Sequence, residues 1–261
     1  MPAALSGTLY ILDDQFMYVG PLLSSAPHAH HAGQIMWVPG GVALRTGQSA
    51  QRTVTFAVIR PDQAHAHGEA TLAAMLWLDG DDVRWRAAAA QEHALAAARA
   101  ELGALHGDLS VHAAHALARR MLQVLTAAAE PGCSRERQHP AVARMCALLD
   151  AGSSTPAREL SVGQLARRSG LSERQLREVF LRDTGLSPRA YLRWRRLRRA
   201  VSGIREGASL TQAAVLAGFA DGAHFSRVFR SQFGMSPTSA FASLRFVVPP
   251  PRARISVPGT S

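Results

Sequence analysis

"GLSERQLREVFLRDTGLSP" (Gly170–Pro188) and "GFADGAHFSRVFRSQFGMSP" (Gly218–Pro237) are one helical phrase written twice, 48 or 49 residues apart. Each copy is preceded by an S-x-x-Q run, Ser161–Gln164 and Ser209–Gln212. That spacing is a capping box, in which the serine and glutamine side chains satisfy amides otherwise unpaired at a helix start. From each cap a first helix is expected to run to a glycine, Gly170 or Gly218, which can take the positive φ of a sharp turn. A second helix follows. In the first copy Ser172 caps it, with Gln175 three residues on, and Leu176, Val179 and Phe180 share one face. In the second copy Asp221 is the cap, and Phe225, Val228, Phe229 and Phe233 form the corresponding stripe. Both helices close at a glycine, Gly185 or Gly234, and a Ser-Pro pair then opens the next helix with proline at its first position. Short helix pairs are common, but two copies with matching caps, turns and core positions identify a duplicated helix-turn-helix.

Between the copies, Ser187 caps a helix from Pro188 to about Ile204, with Trp194, Leu197, Val201 and Ile204 as its buried stripe. Seventeen residues give about 25 Å of helix. With its turns, that approaches the pitch of B-DNA, about 34 Å, so one chain can present both second helices to successive major grooves. The solvent side of the first carries Glu173, Arg174, Arg177 and Glu178; that of the second carries Gly222, Ala223, His224, Arg227 and Arg230. Arginine can pair with guanine and glutamate can accept from cytosine, while the short Gly222 and Ala223 permit close approach. A solvated helix surface is the alternative for each, Glu173 and Glu178 above all. The run "RAYLRWRRLRR" spreads its arginines around a helix, so it divides between phosphate contacts and a solvated face.

Charge supports a polyanion partner. The net +10 of the 261-residue chain is unevenly shared: residues 1–134 carry 8 Arg against 11 acids, and residues 135–261 carry 21 Arg against 8. The first half is acidic by 3 and the second basic by 13, the asymmetry of a nucleic-acid-binding module joined to another domain. All the basic residues are Arg, a bias given little functional weight. No window of eighteen apolar residues and no secretory signal is found, so a soluble cytoplasmic protein without membrane association is expected. Cys133 and Cys146 sit in no CxxC or Cys/His cluster and are read as free thiols.

The first eighty residues contain short apolar or alternating runs, "TLYIL", "QFMYVG", "QIMWVPG", "TVTFAVI" and "TLAAMLWLDG", punctuated by Gly, Pro and Asp. They suit a small antiparallel barrel or sandwich over 1–82. Residues 83–130 read as an Ala-rich helical hairpin broken near "LGALHGDLS", with Leu95, Leu102, Leu117 and Leu122 offering a dimerisation surface or, alternatively, packing on the barrel. "EPGCSRERQ" (130–138) is the linker, 139–245 the helical domain, and "FVVPPPRARISVPGTS" is expected to be disordered.

From His139 to Phe241, through the lead-in "HPAVARMCALLDAG" and the phrase "GFADGAHFSRVFRSQFGMSP", the chain resembles the AraC/XylS family of bacterial transcription regulators. The resemblance implies a seven-helix DNA-binding domain and base-reading positions at Arg174, Arg177, Glu178, Gly222, Ala223, His224 and Arg227. Glu178 departs from the basic or polar residue often found there. It also implies an N-terminal domain for effector binding or dimerisation, and RNA polymerase as a further partner. "APHAHHAGQIMWV" and "VIRPDQAHAHG" are similar to the H-x-H strand and the later histidine turn of cupin-like sensor barrels. His28, His30, His65 and His67 could therefore converge, as metal ligands, as lining of an effector pocket, or as exposed residues; the cupin glutamate after H-x-H is missing. The reading adopted assigns no metal and no cofactor, and places His30, His31, His65 and Trp37 at an effector site. Trp37 and Trp77 are also read as core. The fold class expected is α+β: a cupin-like β-barrel with a helical hairpin, then an all-α domain with two helix-turn-helix motifs. The function expected is a non-enzymatic, effector-controlled, sequence-specific regulator on double-stranded promoter DNA. A metal-dependent cupin enzyme or sensor carrying a DNA-binding domain is the alternative, and a nucleoid-type protein a third.

Overall fold

A computed structural model describes residues 7–12, 15–82, 104–127, 139–150 and 161–247. The strand-rich start forms β1 (Thr8–Leu12), β2 (Gln15–Leu22), β3 (Gly33–Thr46), β4 (Arg52–Ile59), β5 (His65–His67) and β6 (Ala70–Leu78). They lie in a sheet of order β4-β3-β6-β2-β1, with β5 paired to the end of β3. The pairs β1–β2, β2–β6, β3–β4, β3–β5 and β3–β6 are all antiparallel. The register of β3 against β4 shifts between Trp37 and Val42, where Pro39, Gly40 and Gly41 (φ 81°) interrupt the pleat. Such a bulge bends the strand. Its first half therefore pairs with β6 and its last residues with β5, which curls the sheet.

Both faces of this sheet are apolar, because hydrophobic residues occupy successive as well as alternate positions. One face presents Tyr10, Met17, Val19, Ile35, Trp37 and Leu76. It is covered by α1 (Val111–Ala127), through Ala114, Leu117, Ala118, Met121 and Leu122. The Tyr10 hydroxyl donates to the Leu109 carbonyl (2.8 Å) and accepts from the Leu109 amide (3.0 Å), fixing the approach to that helix. The opposite face presents Phe16, Tyr18, Met36, Val38, Met75 and Trp77, and helices from the C-terminal half cover it.

Those helices are α2 (Pro140–Asp150), α3 (Val162–Arg168), α4 (Glu173–Thr184), α5 (Pro188–Arg205), α6 (Leu210–Leu216), α7 (Gly222–Phe233) and α8 (Pro237–Ser243). The capping boxes at Ser161 and Ser209 form as expected, and so do the caps at Ser172, Ser187 and Asp221. Gly170 (φ 69°) and Gly218 (φ 91°) make the turns, and Gly185 (φ 71°) and Gly234 (φ 73°) end the second helices in the left-handed conformation. The first unit has its own core with α2, built on Val142, Met145, Leu165, Leu176, Phe180 and Tyr191. The second unit shares the core of the sheet: Trp194, Leu197, Val201, Phe225 and Phe229 pack with the sheet residues.

The joint between the halves is polar at one point. The turn after β6, Asp79-Gly80-Asp81, meets α5: Trp194 Nε1 donates to Asp79 Oδ1 (2.7 Å), Arg195 Nη1 pairs with Asp79 Oδ2 (2.5 Å), and Arg198 Nη1 pairs with the same oxygen. Tyr191 donates to Asp81 (2.9 Å). A Cβ on Gly80 would stand 2.6 Å from Leu186 Cδ1, so the turn approaches the start of α5 as closely as its backbone allows. Burial opposes ionisation of Asp79, but the Arg198 and Arg195 guanidiniums and the Trp194 N–H outweigh it and hold the carboxyl below its ordinary value. Asp81, buried beside that carboxylate, is pushed up. Burial likewise pushes the Cys146 thiol up; it is a free thiol, as expected.

Of the two readings of the hairpin leucines, Leu117 and Leu122 follow the second and are buried against the sheet; Leu95 and Leu102, with the first half of the expected hairpin, lie outside the described residues. Two expectations change. Trp37 points into the core under α1, because strand alternation sends it to the face opposite the cavity described below. The chain after α8 does not at once become disordered: Arg245–Val247 forms β7, parallel to Thr8–Tyr10 of β1, and the remainder lies outside the described residues. Phe246 packs on the core and stacks on Phe241 at 4.8 Å between centroids, which gives this segment the apolar anchor that its proline content obscured.

Removing the Asp79 carboxylate takes away the ion-pair partner that two largely buried guanidiniums share. Asp79→Ala is expected to cost about 3–5 kcal/mol in urea denaturation at neutral pH. Because the folded pKa is depressed, this contribution is present above the unfolded carboxylate pKa of about 3.9 and fades as pH falls through the folded value. The gap between wild type and variant should therefore narrow below about pH 4.

Candidate nucleic-acid interface and effector cavity

The two helix-turn-helix units are built alike but fill one contact in opposite ways. In the first unit a Cβ on Gly163 of α3 would stand 2.7 Å from Glu173 Oε1, the first residue of α4. In the second, the equivalent positions are Thr211 of α6 and Gly222 of α7, and a Cβ on Gly222 would stand 3.2 Å from Thr211 Oγ1. Small faces large in each, with the sides exchanged. Gly222 is thus required by helix packing, whereas the sequence alone suggested close approach to DNA. Glu173 likewise lies along α3 at its point of contact.

Beyond these contacts both second helices present charge to solvent. Arg174, Arg177 and Glu178 on α4 are exposed, as are Ala223, Arg227 and Arg230 on α7. Arg174 Nη1 pairs with Glu178 Oε1 at 2.7 Å, with the two side chains 79% and 59% exposed. This i,i+4 pair gives Glu178 a partner on its own helix, worth only a few tenths of a kcal/mol and easily exchanged for another ligand. His224 is half-buried: its ring packs edge-on to Phe219 at 5.3 Å, and Nδ1 accepts from the Ala220 amide at 3.5 Å.

The rear of α7 faces a cavity of about 470 Å³ between the second unit and the sheet. Phe16, Tyr18, Val201, Phe229, Phe233 and Phe246 are among the apolar residues that line it. Polar groups sit at particular points. Trp77 lines the wall, and its indole N–H is buried without a partner among the described residues. His28, His30, His67 and Gln34 also contribute to the lining, and Arg230 reaches it from the last turn of α7. Of the expected effector residues, His30 lies at the cavity, and His65 packs behind His28 and His30 with ring centroids at 4.2 and 4.9 Å. His31 does not line it. Its amide donates to Gln232 Oε1 of α7 (2.7 Å), and its Nδ1 pairs with Asp62 at 2.5 Å, so it acts in the joint between the halves. Desolvation lowers the His30 pKa to about 4 and that of His65 to about 3, and both imidazoles are neutral at physiological pH. The Asp79 turn, Gln232 and the Trp77 N–H escaped the sequence reading; "WLDGDD" offered an acidic turn in an otherwise apolar stretch but no sign of its partner.

Residues 165–243 match the helix-turn-helix domain family of AraC-type regulators. The C-terminal unit is a helix-turn-helix domain of AraC type. Over 74 residues it is 43% identical to the HTH-type transcriptional activator RhaS of Escherichia fergusonii, a stretch covering 28% of this chain and 27% of that protein. The chain therefore matches about a quarter of the length of such curated relatives. The fold as a whole is similar to that of ToxT from Vibrio cholerae O395, at a TM-score of 0.56 and 13% identity, covering 89% of this chain and 98% of that one. ToxT of strain SCE256, solved with an unsaturated fatty acid bound, matches at a TM-score of 0.51 and 12% identity over 94% of this chain and 98% of that one. The α+β architecture, a sheet domain followed by a helical AraC-type domain, is the one expected.

Within the AraC-type domain, the amphipathic α7 divides its labour by face: Phe225, Val228, Phe229 and Gln232 turn inward, while Ala223 and Arg227 turn outward. The exchanged contact between helices gives a direct check. Gly222→Glu should lose about 1–3 kcal/mol through overpacking against Thr211. Adding Thr211→Gly, which recreates the arrangement of the first unit, should recover at least half of the loss in a thermal-unfolding double-mutant cycle.

Proposed function

We propose that this chain is a one-component transcription regulator that binds promoter double-stranded DNA through α4 and α7 and answers to a small molecule held in the cavity behind α7. The observation that carries the reading is the pair of capped helix-turn-helix units with outward arginines, in the half of the chain that holds 21 Arg against 8 acids. Arg174, Arg177 and Arg227 are assigned to base edges or adjacent phosphates, with Ala223 and the outer edge of His224 beside them. Arg230, at the cavity end of α7, is assigned to phosphate or to the effector, and Gly222 and Glu178 to supporting the geometry.

The effector assignment follows from the lining. An apolar molecule with an oxygen acceptor suits walls of Phe, Leu and Val with one unpaired indole N–H. ToxT, of similar fold, binds an unsaturated fatty acid. Because α7 carries Phe229 and Phe233 on the cavity and Arg227 on its outer side, a ligand that shifts the helix on the sheet also shifts the reading residue. The curated relatives are activators, so activation with RNA polymerase as a further partner is the direction assigned, in the cytoplasm and without catalysis. No helix among the described residues is long and apolar enough to cross a membrane.

Footprinting and competition binding test the reading. One promoter fragment should outcompete random DNA, and affinity should fall with salt at a log-log slope of about −0.9 per phosphate neutralised. Arg227→Ala should cost about 1–3 kcal/mol and relax the preference at one base position. Equal competition by random DNA would sink the regulator in favour of a nucleoid-type binder, and uniform weakening across sequences would move Arg227 to phosphate.

A further inference from the structure

Four imidazoles meet at the sheet wall of the cavity, and the backbone has set all of them the same way. His28 Nδ1 lies 3.0 Å from the Ala26 carbonyl, His30 Nδ1 2.9 Å from that of Ala32, His65 Nδ1 3.0 Å from that of Gln63, and His67 Nδ1 3.0 Å from that of Gly68. A carbonyl can only accept, so His28, His65 and His67 each donate through Nδ1–H and keep the lone pair on Nε2, whereas His30 has acceptors at both nitrogens, Ala32 O and Gln34 Oε1, and its Nε2 serves a metal only when the Gln34 side chain turns aside. An Nδ1–H held by a carbonyl is the outer-shell arrangement by which proteins fix a metal-binding histidine.

Three of these rings converge. One ring nitrogen of each of His28, His30 and His65 lies within 4.8 Å of those of the other two. The convergence is built into the main chain: His28 and His65 form an isolated antiparallel bridge, each amide donating to the other's carbonyl at 2.9 and 2.8 Å. The His30 carbonyl accepts from the Asp62 amide at 2.8 Å, tying the second ligand segment to the same turn. His65 is 2% exposed, and its Nε2 is buried without a partner among the described residues. A buried lone pair left unpaired costs stability unless something occupies it.

We infer that His28, His30 and His65 form a binding site for a divalent transition-metal ion, held through Nε2, with a coordination position open to the cavity. Tetrahedral geometry with bonds of 2.0–2.1 Å needs ring nitrogens about 3.3 Å apart, so the rings close on the ion by side-chain rotation. The segment Leu23–Ala32, which carries His28 and His30 outside the named strands, can follow. Gln34 Oε1, 2.7 Å from His30 Nε2, must move aside for that nitrogen to bind and is then placed to offer an oxygen to the shell. No carboxylate belongs to the cluster. Three imidazole nitrogens select zinc, cobalt, nickel or copper over calcium and magnesium, which prefer oxygen. The site stands on this geometry and does not require that the chain bind DNA.

The test uses the full chain, purified without a histidine tag, stripped with a chelator and titrated with Co²⁺. Wild type should take up one Co²⁺ per chain, with a visible ligand-field spectrum that Zn²⁺ abolishes. His65→Ala and His28→Ala should each weaken uptake at least about tenfold. His112→Ala, exposed on α1, should leave it unchanged. His28 is only half-buried, so that variant remains informative if His65→Ala fails to fold, which circular dichroism reports. Absence of the spectrum in wild type, or a His28→Ala titration identical to wild type, overturns the site and leaves the four rings as cavity lining.

Discussion

A curved sheet with two apolar faces needs two covers, and the rest of the molecule follows from how they are supplied. The first is local: α1 lies on one face through Ala114, Leu117 and Met121. The second comes from far along the chain, where Trp194 of α5 and the phenylalanines of α7 are buried on the other face. The helix-turn-helix half is thereby part of the sheet's own core. Asp79 fixes where the two meet, because a carboxylate this enclosed must keep Arg195, Arg198 and the Trp194 N–H around it.

This packing leaves the two helix-turn-helix units unequal despite their shared plan. The first rests on α2 and a separate cluster around Leu176 and Phe180, whereas the second is packed directly on the sheet and walls the cavity. Among the described residues, only the second unit touches both the cavity and the sheet, so the two copies of the motif differ in what they rest on.

Most of the C-terminal half was legible because its signals are local. Serine caps, glycines at positive φ and Ser-Pro starts act within a few residues, and all fall where the sequence placed them. What escaped depends on contacts between distant segments. Gly222 reads as an open surface until Thr211 is beside it. Trp37 and Trp77 differ by which side of a strand they occupy, and a bulged, two-sided apolar sheet hides that parity. The histidines were legible as a group, but their common orientation rests on carbonyls of the intervening chain, which no spacing rule encodes. The arginine run was expected to divide between phosphate contacts and a solvated face, but Arg195 and Arg198 turn instead to Asp79, over a hundred residues upstream.

The parallel pairing of β7 with β1 carries a practical corollary. Here the strand after the last helix is stitched to the opening strand, with Arg245 N bonded to the Gly7 carbonyl at 3.0 Å. A chimera that exchanges helical halves ahead of α2 would strip an edge from the sheet unless the graft brings its own terminal strand. Thr8–Tyr10 and Arg245–Val247 meet at one sheet edge, so the natural seam is not where the sequence appears to divide.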